Sequence, residues 1–384
     1  MMCPELSQVF QQRFGSKPRI FRAPGRVNLI GEHTDYNDGY VFPMALDRYT
    51  AVAIAPRSDR TIRVYSASME EETTFSLDNP QRRGHWSDYI AGVANQLEKR
   101  NVRLPGADLL LYSDVPVGSG LSSSAALEIS SALALLSLTD GHLQGEELAR
   151  LGQAAENQFV GMNCGIMDQF ISVHGARDHA LFLDCRSLEF QLVPLPSDQC
   201  RIVVCNTMVR HELGASEYNT RRRECEEGVR HMQKQWPAIK ALRDLTLTQF
   251  VAAGETLDPT VRKRCRHVIS ENERVLASIR CLSSADLHGF GELMNTSHDS
   301  LRDDYQVSCE ELDLMVGIAR EIPGCLGARM TGGGFGGCTV NLVERDAVDL
   351  FCREVGALYR SRTGLAPAIY ISVPSQGAHE WNSL

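Results

Sequence analysis

The stretch Pro116-Val117-Gly118-Ser119-Gly120-Leu121-Ser122-Ser123-Ser124-Ala125-Ala126 constrains this chain more than any other, because a glycine-serine loop runs straight into an apolar helical pattern. It is built to hold phosphate. Glycines at 118 and 120 allow turns that aim backbone N–H groups at one centre, and the serines add donors and can cap helix amides. The helix adds the positive end of its dipole at the same point. Neither common nucleotide motif fits: no Gly-Lys pair occurs in the chain, and Ser123 stands where a dinucleotide loop has its third glycine.

With 384 residues the chain is long enough for two or three domains. Its 39 basic and 48 acidic residues give a net charge of −9, which argues against nucleic acid or an anionic membrane as the main partner. The 12 cysteines show no metal-finger or Cys-x-x-Cys spacing, so reduced thiols in the cytoplasm are expected. The apolar stretch Ala125 to Leu138 is broken by Glu128, Ser130 and Ser131 and is too short to cross a bilayer.

Residues 48–77 read as strands, with Tyr49 to Ala55 and Thr61 to Ser66 forming a hairpin or meander across Arg57-Ser58-Asp59. Asp108 to Tyr112 reads as a buried strand feeding the glycine-serine loop, and the next helix sets Ala125, Ile129, Leu133 and Leu136 on one face. A second helix over Glu146 to Val160 ends at Gly161. Strand character resumes at Leu181 to Asp184 and Ile202 to Cys205, and the proline-rich Val193 to Asp198 between them marks a boundary, giving units 1–195 and 196–384. Beyond it the pattern predicts a charged helix over Glu217 to Gln235, in which Arg221-Arg222-Arg223 is a solvated face, and helix from Pro259 to Ser297. A layered α/β tail closes the chain, with helices at Glu310 to Glu321 and Asp346 to Tyr359 and strands at Thr339 to Val343 and Ala368 to Val373.

Two further segments carry hydrogen-bonding or glycine chemistry. Gly332-Gly333-Gly334-Phe335-Gly336-Gly337 has dinucleotide-loop spacing, but an alternating strand pattern follows it where a helix is required, which leaves a flexible turn or a loop closing over a ligand. Pro24 to Gly39 reads as a loop dense in polar groups, with Glu32, His33 and Asp35 able to bond sugar hydroxyls. Taken alone, a polar surface turn is the simpler reading, and Arg26 is more simply a solvated or ion-paired arginine. Glu156 on the polar side of its helix and Ser124 suit Mg²⁺ held together with substrate phosphates.

In this order the blocks Gly25 to Tyr36, Pro116 to Ala126 and Arg329 to Gly337 resemble the motifs of the GHMP small-molecule kinases, the first block resembling the galactose-phosphorylating branch. Cys164 to Phe170, Ser216-Glu217-Tyr218 and Ser300 to Tyr305 extend that resemblance over nearly the whole chain. It implies an α+β, two-domain GHMP kinase fold, with an N-terminal domain like the second domain of ribosomal protein S5 and a ferredoxin-like C-terminal domain. It implies transfer of the γ-phosphoryl group of ATP to the anomeric hydroxyl of galactose by a cytoplasmic, monomeric enzyme.

By the same resemblance Gly118, Ser119, Gly120, Leu121, Ser122, Ser123 and Ser124 wrap the ATP phosphates, and Ser124 and Glu156 hold Mg²⁺. Ser66 and Trp86 lie near the nucleoside. Glu32, His33, Thr34, Asp35 and Tyr218 contact the sugar, Asp168 accepts the proton and Arg26 stabilises the transition state. Ser119 and Gln376 depart from the family pattern without touching a side-chain role. A non-catalytic galactose sensor is disfavoured because Ser122 to Ala126 is complete, whereas a kinase for N-acetylgalactosamine or galacturonate stays open.

Overall fold

The computed structural model describes residues 3–210 and 214–382, apart from the side chains at 4, 210 and 214–216, so the side chain of Ser216 lies outside the described residues. The first part of the chain runs α1 (Cys3–Phe14), β1 (Arg19–Asn28), β2 (Tyr40–Val41), β3 (Pro43–Arg57), β4 (Thr61–Ser66), β5 (Glu71–Ser76), α2 (Asp88–Lys99), β6 (Gly106–Ser113), α3 (Ser123–Leu136), α4 (Gly145–Ala155), α5 (Met167–His174), β7 (His179–Asp184) and β8 (Phe190–Pro194). It continues through β9 (Cys200–Arg210), α6 (Gly214–Met232), α7 (Leu247–Ala253), α8 (Pro259–Ser283), α9 (Leu287–Ser300), α10 (Glu310–Glu321), β10 (Cys325–Thr331), β11 (Gly336–Glu344), α11 (Val348–Thr363), β12 (Ala368–Ser372) and β13 (His379–Glu380).

The expected hairpin between Tyr49 to Ala55 and Thr61 to Ser66 does not form. Strand β6 inserts between them, antiparallel to β3 with Thr50 opposite Ser113 and parallel to β4 with Ile62 opposite Ala107. The cause is burial: Ala107, Leu109 and Leu111 face one core and Leu110 another, so β6 needs cover on both faces and takes a central slot. Strand β4 instead makes its hairpin with β5. In the resulting six-stranded sheet, β13-β1-β3-β6-β4-β5, helices α2, α3 and α4 pack on one face and α1 on the other. Helix α3 is buried nearly all round, a wider apolar face than its periodicity predicts.

Strands β9 to β12 form an antiparallel sheet in the order β10-β11-β9-β12, the ferredoxin-like arrangement. Alternation along β9 sends Val203 and Cys205 toward α10 and α11, and Ile202 and Val204 toward α9. That second face is shared. Val27, Leu29, Phe42 and Met44 from the first part of the chain join Phe290, Met294, Val340 and Leu342 in one core. Helix α8 starts cleanly because Asp258 accepts from the N–H groups of Thr260 and Val261 and Pro259 occupies the first turn.

Phe290 is fully buried in the shared core, its ring edge-on to Phe42 at 6.2 Å. Phe290→Ala is expected to cost about 3–5 kcal/mol. Because both sheets lean on it, thermal unfolding followed by circular dichroism should shift as one transition and not split into two.

Candidate active site at the sheet junction

Strand β6 delivers the chain to the glycine-serine loop, where Gly118 (φ 66°) and Gly120 (φ 79°) adopt the left-handed conformation. Ser122 does so as well (φ 58°), a strained choice for a serine. Its hydroxyl does not cap α3; it donates to Asp168 Oδ2, which leaves the first amides of the helix without a side-chain cap. Those free donors are what an anion requires. The Ser119 hydroxyl closes the loop on the Pro116 carbonyl at 2.8 Å. Facing it, the glycine run joins β10 to β11 as a hairpin loop, and Gly332 comes so close that a Cβ there would lie 3.4 Å from the Gly120 carbonyl. Gly118 to Gly120 and Gly333 to Gly337 thus bound a cleft of about 200 Å³ walled almost entirely by backbone.

A cavity of about 220 Å³ lies beside this cleft, and Gly333 lines both. Two expectations change here. Arg26 lies within strand β1 and is only 6% exposed, and Glu32, His33 and Thr34 are buried, so the polar segment is an interior wall. Glu32 accepts from the Thr331 hydroxyl (2.9 Å) and the Gly332 amide (2.8 Å), with Arg329 at 3.4 Å. Thr34 does not line the cavity, because its hydroxyl sits 2.8 Å from the Gly31 carbonyl and 2.6 Å from that of Tyr40, holding the loop together.

His33 lines the cavity with a left-handed backbone (φ 63°). Its Nδ1 is 2.8 Å from the Tyr36 hydroxyl, which is 2.7 Å from that of Tyr305, itself 3.2 Å from Cys225 Sγ. Among the described residues its Nε2 meets no partner in hydrogen-bonding geometry, with the Gly333 backbone near the ring. Burial, reinforced by His267, Arg221 and Arg329, pushes the imidazole down to about 3, so the ring is neutral and Nε2 is free for a hydroxyl. Tyr218 on α6 packs over His33 and Tyr36, with ring centroids 5.7 and 5.1 Å away. Asp35 presses on Gly165, where a Cβ would collide with its carboxylate. Burial, with Asp168 and Glu32 nearby, raises Asp35 to about 7.

Asp168, in the first turn of α5, is gripped by Arg26 through two parallel bonds of 2.8 Å. Arg26 also donates to the Gly120 carbonyl, so one guanidinium ties the cavity to the phosphate loop. Glu156 starts a widened helical turn (Glu156–Val160) after α4; it is 7% exposed and points inward, against the expected polar face. Burial and then Asp168 raise it to about 7, while Cys164, the Ser124 hydroxyl and Gln169 bond it. Gln169 donates to both Glu156 (2.8 Å) and the buried Glu128 (2.9 Å); neither Gln169 nor Glu128 has a role that the sequence assigns. Glu128 follows Ser124 by one helical turn, the one signal that could have pointed to it.

Ser66 and Trp86 line neither space: Ser66 accepts from the Met69 amide, and Trp86 donates to Glu71. Arg221, expected on a solvated face, is 7% exposed and donates to the Tyr305 and Gln306 carbonyls. That fixes α6, and so Tyr218, against the turn Leu301–Tyr305.

For a divalent cation the donor set is instructive. Among the described residues no group of three or more His, Cys, Asp or Glu could hold a metal alone. The Glu156 carboxyl, which lines the cavity, with the Ser124 hydroxyl in the first turn of α3 supplies two hard oxygen donors, which fits Mg²⁺ completed by substrate phosphates.

The ferredoxin-like sheet, the shared core and a backbone-walled phosphate cleft beside a carboxylate-lined cavity define a GHMP small-molecule kinase. The GHMP kinase N-terminal and C-terminal domains match residues 88–176 and 278–361, and the galactokinase galactose-binding signature matches residues 8–56. The galactokinase of Roseiflexus sp. (strain RS-1) is 50% identical over 375 residues, spanning 97% of this chain and 96% of the relative. That of Chloroflexus aggregans (strain MD-66 / DSM 9485) is 53% identical over 366 residues and 94% of each chain. The chain belongs to the galactokinase family. The crystal structure of Lactococcus lactis galactokinase complexed with galactose has a TM-score of 0.94 and 37% identity, covering 98% of this chain and 99% of that one. A mevalonate kinase shares the fold at a TM-score of 0.67 and 19% identity, over 93% of this chain and 99% of its own.

The Asp35 shift has a checkable sign. Between about pH 4 and 7 the folded protein keeps a proton that the unfolded chain has released, so rising pH destabilises the ligand-free protein across that window. Asp35→Asn is expected to raise the melting temperature at pH 8 by a few degrees, less at pH 6 and least near pH 4. Differential scanning calorimetry at the three pH values checks it.

Proposed function

We propose that the protein phosphorylates galactose with ATP, giving galactose 1-phosphate and ADP. The observation that carries this is Asp168: it lines the cavity, yet its carboxylate bonds Arg26 and Ser122, and Arg26 reaches the phosphate loop at Gly120. A sugar in the cavity then presents its anomeric oxygen at Asp168, facing the γ-phosphoryl group of an ATP seated in the glycine cleft. His33, Glu32, Asp35 and Tyr218 orient the sugar through its hydroxyls.

Phosphoryl transfer passes through a loose transition state, so alignment and charge neutralisation matter more than strong basicity. Arg26 faces the charge developing on the transferred group, the α3 amides and loop N–H groups hold the remaining phosphates, and Asp168 receives the proton as the new P–O bond forms. Ser124 and Glu156 would hold Mg²⁺, which when bound adds further neutralisation of the phosphate oxygens.

Our reading also takes the chain as two units divided near residue 195, acting as a monomer in the cytoplasm. One chain lines both the cavity and the cleft. None of the twelve cysteines forms a disulfide, and no described helix is long and apolar enough to cross a membrane.

ADP release measured over galactose, glucose, N-acetylgalactosamine and galacturonate tests the reading, with turnover expected on galactose; binding of galactose without turnover would instead favour a sensor. Asp168→Asn should lower the rate by about 10²–10⁴-fold or more while galactose still binds in calorimetry. Glu156→Gln should raise the Mg²⁺ concentration needed for half-maximal rate by at least about tenfold, leaving the galactose KM little changed.

A further inference from the structure

Helix α8 lies far from the sugar loop in sequence, yet three of its side chains grip that loop along both legs. Glu271, fully buried, accepts through Oε1 from the Gly31 amide at 2.9 Å and from the Ser297 hydroxyl at 2.7 Å, and through Oε2 from Arg274 Nε at 2.6 Å. His267 Nε2 lies 3.1 Å from the carbonyl oxygen of Glu32. On the returning leg, Asn272 Oδ1 accepts from the Tyr40 amide at 2.8 Å and would be 2.6 Å from a Cβ at Gly39. The spacing 267, 271, 272 puts these groups on adjoining faces of one helix.

The loop is seated flush on the helix. Gly31 adopts φ 100°, and a Cβ there would meet the Tyr40 carbonyl at 2.7 Å and Val275 at 2.9 Å. Its amide immediately precedes the two residues, Glu32 and His33, whose side chains face the cavity. A carboxylate with no exposure is costly unless fully partnered. Here the charges of Arg274 and Arg329 hold it ionised, with its pKa lowered to about 2 despite burial, while His267, itself driven down to about 4 by burial, stays neutral. Such an arrangement fixes a peptide plane more firmly than a neutral acceptor, because charge-assisted bonds are about twice as strong.

We propose that Glu271 is a positioning residue for sugar recognition: by holding the Gly31 amide it sets the placement of Glu32 and His33, and thereby galactose affinity, without touching the sugar. The inference rests on the reading of the cavity as the galactose site. Glu271 does not line the cavity, and its effect should therefore fall on the sugar and spare the nucleotide.

The test compares Glu271→Gln and Glu271→Asp with wild type by galactose titration in a calorimeter and by steady-state KM for galactose and for ATP. The expected result is a rise of about tenfold or more in the Kd and KM for galactose in Glu271→Gln and a smaller rise in Glu271→Asp. The ATP KM should stay within about twofold in both variants. Ser278→Ala, which removes a buried hydroxyl bonded only within α8 to the Arg274 carbonyl at 2.8 Å, is the stability control. Variants of Glu271 that lose melting temperature as the control does, with galactose Kd and KM unchanged, overturn the proposal. Should Glu271→Gln fail to fold, Ser297→Ala withdraws one donor and leaves the carboxylate in place; a rise of about threefold in galactose Kd supports the proposal and no change overturns it. Absence of galactose turnover by wild type overturns the reading of the site itself, and this inference with it.

Discussion

The paired bonds between Arg26 and Asp168 are the contact on which the site depends. They join β1 to α5, and the same guanidinium reaches Gly120 in the phosphate loop, so three segments distant in sequence meet at one charge. The local backbone is shaped to allow it. Pairing of β1 with β3 shifts register between Pro24 and Arg26, and Gly25 leaves room for the Leu121 carbonyl, which a Cβ would approach to 2.7 Å. Because Arg26 is nearly buried, losing its partner would strand a charge in the interior, a cost of about 3–5 kcal/mol.

Around that pair the site gathers more acid than base. Asp35, Glu156 and Glu128 are all raised by burial and by one another or by Asp168, while Arg26 and Arg329 face Asp168 and Glu32. Carboxyl groups crowded and buried in this way hold protons that an isolated carboxylate would release. Neutral His33 fits the same logic, since a further positive charge there would compete for the carboxylates.

Much of this was legible in the sequence because it is carried by local pattern. The glycine-serine loop, the helix at 310–321 and the strands of the tail follow from periodicity and turn chemistry, which act over a few residues. Strand order did not follow, since the slot of β6 between β3 and β4 is decided by burial on both faces, a property of the assembled sheet. Burial also reversed the reading of Arg221, whose charged neighbours in sequence suggested solvent, and of Glu156, which helical periodicity set on a polar face. The site residues were named through motif text and could not have been joined by spacing alone: Arg26 and Asp168 are 142 positions apart. Glu271 and Gln169 act through other side chains, and nothing in a linear pattern marks such a task.

Strand β13 pairs with β1, and Arg22 bonds His379 across a separation of 357 residues. A chain emerging from the ribosome presents β1 long before its edge partner. Until then the unpaired edge is open to other strands. Closing that edge therefore needs two segments 357 residues apart to meet, and a partly folded chain carries an exposed β edge until they do.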